Sequence, residues 1–448
     1  MPVRIVVALV GLLCLVPVAR ADDWPQWLGP ERDGVWRDAR VPDALKDDHV
    51  KVRWRTPVGG GYAGPAVAAG RVFVSDFTPS DPAGDGKAGS ERVLCLDEST
   101  GEVLWSHAYD VDYTFDYRSG PRATPVVDGD RVYTLGGEGH LVCLEVTSGK
   151  PVWSKRFADD GAETPTWGFA AHPLIVGDKL ICLTGPAPTG KLVTAFDKRT
   201  GHPLWTALKG KEIGYCPPTM IRSGDTGQLI VFHPESVNSL DPETGKVHWT
   251  VPFGPVRYGT SITTPRLARH PTLGDLLVVS SYWDGTMVLK LAPDAPRAEL
   301  LWRRAGRGRT QAGALHNLMA PPLVTETHLY GVSRGGELRC LDLATGEMAW
   351  ETYAATTGDE GHVDNATAFL VPAPTPDKTL LFNDRGDVIL ARLSPAGYEE
   401  LGRKRLLEPT GSAMRRPVLW CHPALANGSV YWRNDREIVR AALGQSGE

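Results

Sequence analysis

Two histidines precede prolines in similar settings, Gly168-Phe-Ala-Ala-His172-Pro173 and Trp420-Cys-His422-Pro423. Set across a cleft from one another, His172 and His422 would form the acid–base pair that a hydrolase or lyase uses. The same slot holds Gly64, Thr124, Thr264 and Thr367 elsewhere in the chain, which reads the histidines as occupants of a structural position. No G-x-S-x-G elbow, P-loop or H-E-x-x-H motif accompanies them. No C-x-x-C pair exists either, so neither a metal site nor a catalytic residue is assigned.

The segments leading into these prolines carry an unusual set of side chains. The earlier ones contribute Tyr62, Arg118, Arg122, Trp167, His172, Tyr215 and Tyr258. The later ones add His316, Asn317, Asp364, Asn365, Arg415, Arg416, Trp420 and His422. Aromatic rings mixed with arginine are the composition of interaction hot spots. Asp364 alone faces Arg118, Arg122, Arg415 and Arg416, which predicts a positive patch suited to an anionic ligand or an acidic peptide. The alternative is a capped surface whose polar groups are satisfied through water.

What must bring these segments together is a repeat. Cys95-Leu-Asp97…Gly101…Trp105 recurs as Cys143…Gly149…Trp153, Ala195-Phe-Asp197…Gly201…Trp205, Ser239-Leu-Asp241…Gly245…Trp249 and Cys340-Leu-Asp342…Gly346…Trp350. Trp302 closes a degenerate copy and Trp54 stands one period ahead, giving intervals of 51, 48, 52, 44, 53 and 48 residues. Each period also holds an apolar strand beginning near Pro65, Pro125, Pro173, Pro218, Pro265, Pro322, Ala368 or Pro423. Four short strands per unit, repeated at this period, predict an all-β fold, an eight-bladed β-propeller with tryptophan-docking repeats. Seven blades is the alternative, because the copy near 380–403 is eroded. The last unit lacks a tryptophan strand and Trp54 lacks inner strands, so pairing the two would close the ring. The segments before the prolines would then surround one mouth of the central channel.

Composition narrows the setting. The 448 residues carry 48 Lys+Arg and 53 Asp+Glu, a charge of −5 without long runs of either sign, which argues against nucleic acid. Residues 1–21 read as a signal peptide with an apolar core and the cleavage motif Ala19-Arg-Ala21. That core is too short for a membrane span. The expected order is signal peptide 1–21, lead segment 22–49, propeller 50–443 and tail 444–448, exported to the periplasm or beyond as a soluble monomer. Export permits disulfides, yet Cys95, Cys143 and Cys340 share a slot with Ala195 and Ser239, so the cysteines read as small buried side chains.

The repeat phrase resembles that of the pyrroloquinoline-quinone (PQQ) dehydrogenases and of their non-enzymatic relatives, among them BamB-like propellers of outer-membrane protein assembly. Asp23-Trp-Pro-Gln-Trp-Leu-Gly-Pro-Glu-Arg-Asp-Gly34 is similar to the mature start of many exported PQQ-like propeller proteins. For the dehydrogenases the resemblance implies a quinone pocket, a Ca²⁺ site of Glu, Asn and Asp oxygens, a catalytic base and an adjacent Cys-Cys pair. This chain has no adjacent cysteines, no such trio at matching positions, and little length for substrate-binding insertions. The resemblance therefore implies a non-catalytic scaffold with an exported or envelope protein as partner and no cofactor. PQQ and Ca²⁺ enter only under the alternative, a divergent periplasmic oxidoreductase.

Overall fold

Alternating apolar residues bounded by glycine and aspartate turns fold here into eight four-stranded antiparallel sheets. The structure is a computed structural model that describes residues 23–444, apart from 38–40, 82–83, 85, 118, 186–188, 255, 306–312 and 376. The expected signal peptide and the tail beyond residue 444 lie outside the described residues. Seven blades run in chain order over 66–112, 126–156, 174–207, 219–252, 266–304, 323–352 and 368–405. The eighth combines Ala424–Ala426, Ser429–Arg433 and Glu437–Leu443 with the first strand, Val50–Pro57, as its outermost member. The fold is thus an eight-bladed propeller closed by pairing its two ends. The eroded copy near 380–403 forms a complete blade, which removes the seven-bladed alternative. No helix among the described residues is long and apolar enough to cross a membrane.

Burial follows position within the blade. Middle strands are covered on both faces by neighbouring blades, so Val72, Phe73 and Val74 are all fully buried. Outermost strands alternate instead, as in Val103–Asp112. The small residue of the repeat phrase sits opposite the tryptophan in register, Cys95 against Trp105 and Cys143 against Trp153. All six described cysteines are buried and free, and Cys95, Cys143 and Cys340 fill the small-residue slot opposite a tryptophan.

The tryptophans join blade to blade. Trp54, Trp105, Trp153, Trp205, Trp302 and Trp350 donate their indole N–H to carbonyls of Glu98, Val146, Lys198, Pro242, Leu343 and Ser394 in the following blade, at 2.8–3.1 Å. Five of these rings lie on the turn glycines of the next repeat: a Cβ added at Gly101, Gly149, Gly201, Gly245 or Gly346 would fall 2.4–3.0 Å from indole carbons. The aspartates Asp97, Asp197, Asp241 and Asp342 hold those turns by accepting backbone N–H bonds at 2.8–2.9 Å. Trp249 is the exception. The turn it faces, 292–297, has no glycine, and its N–H goes to Gln228 Oε1 of its own blade at 2.9 Å.

The lead segment does two further jobs. Blade 7 has no tryptophan on its outermost strand, Gly397–Arg405, and the chain around Leu45 packs there instead. Leu45 N–H donates to Leu401 O at 2.8 Å, and Lys378 Nζ bonds Asp43 at 2.8 Å. Upstream, residues 23–36 fill the channel. Trp24 pairs with Val67, Pro25 O accepts from Val127 N–H, and Trp36 N–H donates to Pro372 O. The Arg32 guanidinium reaches the carbonyls of Pro173 and Pro218 at 3.1 and 3.3 Å. With Arg266 donating to the carbonyls of Arg32 and Asp33, six blades hold one strap, which closes the channel from the face of the tryptophan turns.

Candidate ligand-binding cavity

Antiparallel connectivity puts two kinds of loop on the other face: the segment entering each innermost strand, and the turn between second and third strands. These surround a cavity of about 630 Å³ whose base is the strap. Of the side chains expected at the channel mouth, Tyr62, Arg122, Trp167, His172, Tyr215, Tyr258, Asp364, Asn365, Trp420 and His422 line it. Trp27, Asp116, Tyr117, Tyr282, Trp283 and Arg334 line it as well.

The base is built from the slot before the strand prolines. Trp27, buried, donates its indole N–H to Thr264 Oγ1 at 2.9 Å. It stacks on His172 at 4.1 Å between centroids and meets the edge of His422 at 4.3 Å. Thr124 links the two histidines: its N–H donates to His172 Nδ1 at 2.8 Å, and its Oγ1 lies 2.6 Å from His422 Nε2. With His422 Nδ1 facing Pro423 O at 3.2 Å, the ring is held as one neutral tautomer. Burial pushes the pKa of His422 down to about 3, and burial together with the neighbouring His422 pushes His172 well below its ordinary value. The histidines expected to face one another do meet, 5.7 Å apart. Neither retains the basicity of a proton shuttle near neutral pH.

The walls are aromatic, and their rings are fixed against one another. Tyr62 leans on Trp420 at 5.9 Å, Trp167 on Tyr215 at 5.2 Å, and Tyr282 meets Trp283 edge-on at 4.8 Å. The Arg334 guanidinium lies 4.5 Å from the Trp283 ring and 5.2 Å from Tyr282. Arg122 is buried over Phe115 at 4.3 Å and donates to the carbonyls of Gly120, Asp116 and Tyr117. Asn365 accepts the hydroxyl of Tyr282, and Asp364 Oδ1 lies 3.1 Å from His362 Nε2. Tyr117, Tyr258, Asn365 and Met414 all line the cavity with positive φ, between 49° and 62°. Each such non-glycine residue costs about 1–2 kcal/mol.

Four expected residues sit elsewhere, and one lies outside the described residues. His316 is buried behind the wall, its Nδ1 3.1 Å from Tyr282 O, and buried Asn317 donates to Val332 O at 3.2 Å. Arg415 is exposed on the hairpin Gly411–Val418, while Arg416 is paired with buried Asp384 at 2.6 Å. Arg118 is the one outside. Of the four arginines expected at a positive mouth, Arg122 lines the cavity and Arg415 and Arg416 do not; among the described lining residues Asp116 and Asp364 stand beside Arg122 and Arg334. Trp283 and Arg334 lie in turns between second and third strands, which carry no repeat phrase to mark them in sequence. Alternation of turns along an antiparallel blade was the signal that places them there.

A family model described as outer membrane protein assembly factor BamB matches residues 89–352 and, in an overlapping placement, 233–442. BamB from Moraxella catarrhalis superposes with a TM-score of 0.59 at 15% identity, over 89% of this chain and 99% of that one. Quinohemoprotein alcohol dehydrogenase from Comamonas testosteroni gives 0.62 at 14% identity, over 95% and 81%. Quinohemoprotein alcohol dehydrogenase ADHIIG from Pseudomonas putida HK5 gives 0.63 at 12% identity, over 95% and 81%. At these identities the likeness is one of fold. No curated protein matches the chain by sequence.

Proposed function

The chain belongs to the family described as outer membrane protein assembly factor BamB, and on that premise we propose that it is an exported, non-catalytic propeller that binds its partner or ligand in the aromatic cavity. The chemistry of the cavity carries this reading. Its two histidines are neutral and tied to Thr124. The Cys421 thiol, between the lining residues Trp420 and His422, is buried, donates to Gly61 O at 3.0 Å, and has its pKa pushed up to about 12 by burial. What faces the open volume is instead a set of rigid aromatic rings, the mark of a recognition site. The leader-like residues 1–21 support export, and the family description supports a role at the cell envelope.

The oxidoreductase alternative requires PQQ with Ca²⁺, and the residues present do not fit that pair. A hard cation takes six to eight oxygen ligands. The cavity offers the carboxylates Asp116 and Asp364, and no group of three or more His, Cys, Asp or Glu converges among the described residues. Arg122, a cation suited to a quinone carboxylate, is committed to backbone carbonyls. The test is a titration of the full chain with PQQ and Ca²⁺, reading quinone absorbance and melting temperature together. The expected result is no saturable change. Saturable binding with Ca²⁺-dependent dye reduction would overturn the non-catalytic reading.

A further inference from the structure

Resting on the reading of this cavity as a binding site, we propose that its ligand is a neutral saccharide of about two or three pyranose rings. The volume lies within the 300–1,000 Å³ typical of pockets that enclose a small ligand. The ring geometry, the polar groups and the backbone strain each point the same way.

Trp167, Trp283 and Trp420 are half-buried, each braced by a tyrosine and leaving part of its ring uncovered. Their interplanar angles to those partners are 44°, 88° and 41°, so within each pair the two rings are tilted to one another and make no parallel slot. A flat heterocycle is gripped best by parallel stacking; a pyranose, with an axial C–H face on each ring and a bend at each linkage, suits tilted platforms. The polar groups match as well. The Asp116 carboxylate has no hydrogen-bond or ion-pair partner among the described residues, and the Arg334 guanidinium lies 4.5 Å from the centre of the Trp283 ring. Carboxylate and guanidinium are planar bidentate groups, and adjacent ring hydroxyls present the paired donors and acceptors they need. The uncompensated Asp116 carboxylate calls for hydroxyl donors rather than an anion, although Arg257 adds a further cation 5.4 Å from the Trp283 and Tyr258 rings. Finally, the left-handed backbone at Tyr117, Tyr258, Asn365 and Met414 is strain gathered at one place, as it is where loops are shaped for a ligand.

The experiment is isothermal calorimetry of the full chain with cellotriose, maltotriose and chitotriose, on wild type, Trp167→Ala and Asp116→Asn. Asp116 is exposed, so its substitution should leave the melting temperature unchanged even if loss of Trp167 disturbs the wall. At least one trisaccharide should bind saturably, and each substitution should weaken it about tenfold. Binding that both variants leave intact overturns the proposal. Parallel titrations use 1-anilinonaphthalene-8-sulfonate and a proline-rich decapeptide. If either binds, is lost in Trp167→Ala, and no trisaccharide binds, the saccharide is overturned while the cavity stands as a binding site. If nothing binds, both readings fall.

Discussion

Replacing Gly149 with alanine tests the blade-to-blade contact directly, because Gly129 of the same blade is its built-in control. Both glycines have left-handed backbone, φ +67° and +59°. Around Gly129 an added Cβ meets nothing within 4 Å, whereas at Gly149 it would fall 2.4 Å from a ring carbon of Trp105. Gly129→Ala therefore carries only the conformational cost, about 1 kcal/mol after the smaller entropy of the unfolded alanine chain is credited. Gly149→Ala carries that same cost and must also move the indole. Displacing it breaks the 2.9 Å bond to Val146 O, about 1 kcal/mol, and uncovers part of a large aromatic surface, about another 1 kcal/mol. The expected loss is about 3 kcal/mol, read from urea unfolding with an unchanged m-value. On a Trp105→Ala background the cost of Gly149→Ala should fall to the Gly129 level, a coupling of about 2 kcal/mol. Equal costs at the two glycines, or no coupling to Trp105, would refute the docking account.

Three further outcomes follow from the same contacts. His172 and His422 have folded pKa values depressed by burial, so their contribution is complete above the unfolded value near 6.5 and is lost as pH falls below it, for His422 towards about 3; unfolding free energy should drop by up to about 1.4 kcal/mol per pH unit for each, and His172→Gln should flatten that slope when measured between pH 7.5 and 5. Arg32→Ala strands the carbonyls of Pro173 and Pro218, should cost about 3 kcal/mol, and should make the strap the first site cut in limited proteolysis. Trp249→Ala should cost about 1 kcal/mol less than Trp205→Ala in urea unfolding, since the Trp205 ring packs on Gly245 of the next blade and the Trp249 ring rests on no turn glycine.

The propeller was legible because its signal is repeated: each copy of the phrase places a turn aspartate, a turn glycine and a docking tryptophan at fixed offsets, and one eroded copy cannot hide the rest. Even the end-to-end closure could be read, since Trp54 and the strands after Pro423 each lacked what the other supplied. The cavity was only half legible. Residues before the strand prolines share a position in every unit, so Tyr62, Trp167 and Trp420 could be gathered from sequence. Trp283 and Arg334 lie in turns of varied length that carry no common phrase. The strap was the larger omission. Asp23 to Gly34 has no repeat partner, and nothing in its composition says that Trp27 will cross the channel to rest on His172. Charge misleads for a physical reason too: sequence places Arg416 at the cavity, but buried Asp384 claims it.

Trp27 is where fold and site become one object. It is held from below by the strap and forms the base of the cavity from above, so a ligand resting on it binds only the form in which the strap is seated. Linkage then runs both ways: a ligand at a hundred times its Kd should hold the strap down by about 2.7 kcal/mol, and a loosened strap should weaken the ligand by the same factor. Amide hydrogen exchange makes this measurable, because the N–H groups of Trp24 and Trp36 are bonded to Val67 and Pro372 only while the strap is in place. Their exchange should slow about a hundredfold with a bound trisaccharide, and Arg32→Ala should raise both the exchange rate and the Kd. A ligand that binds without slowing those two amides sits on the walls alone, and the base of the cavity has then been wrongly assigned to it.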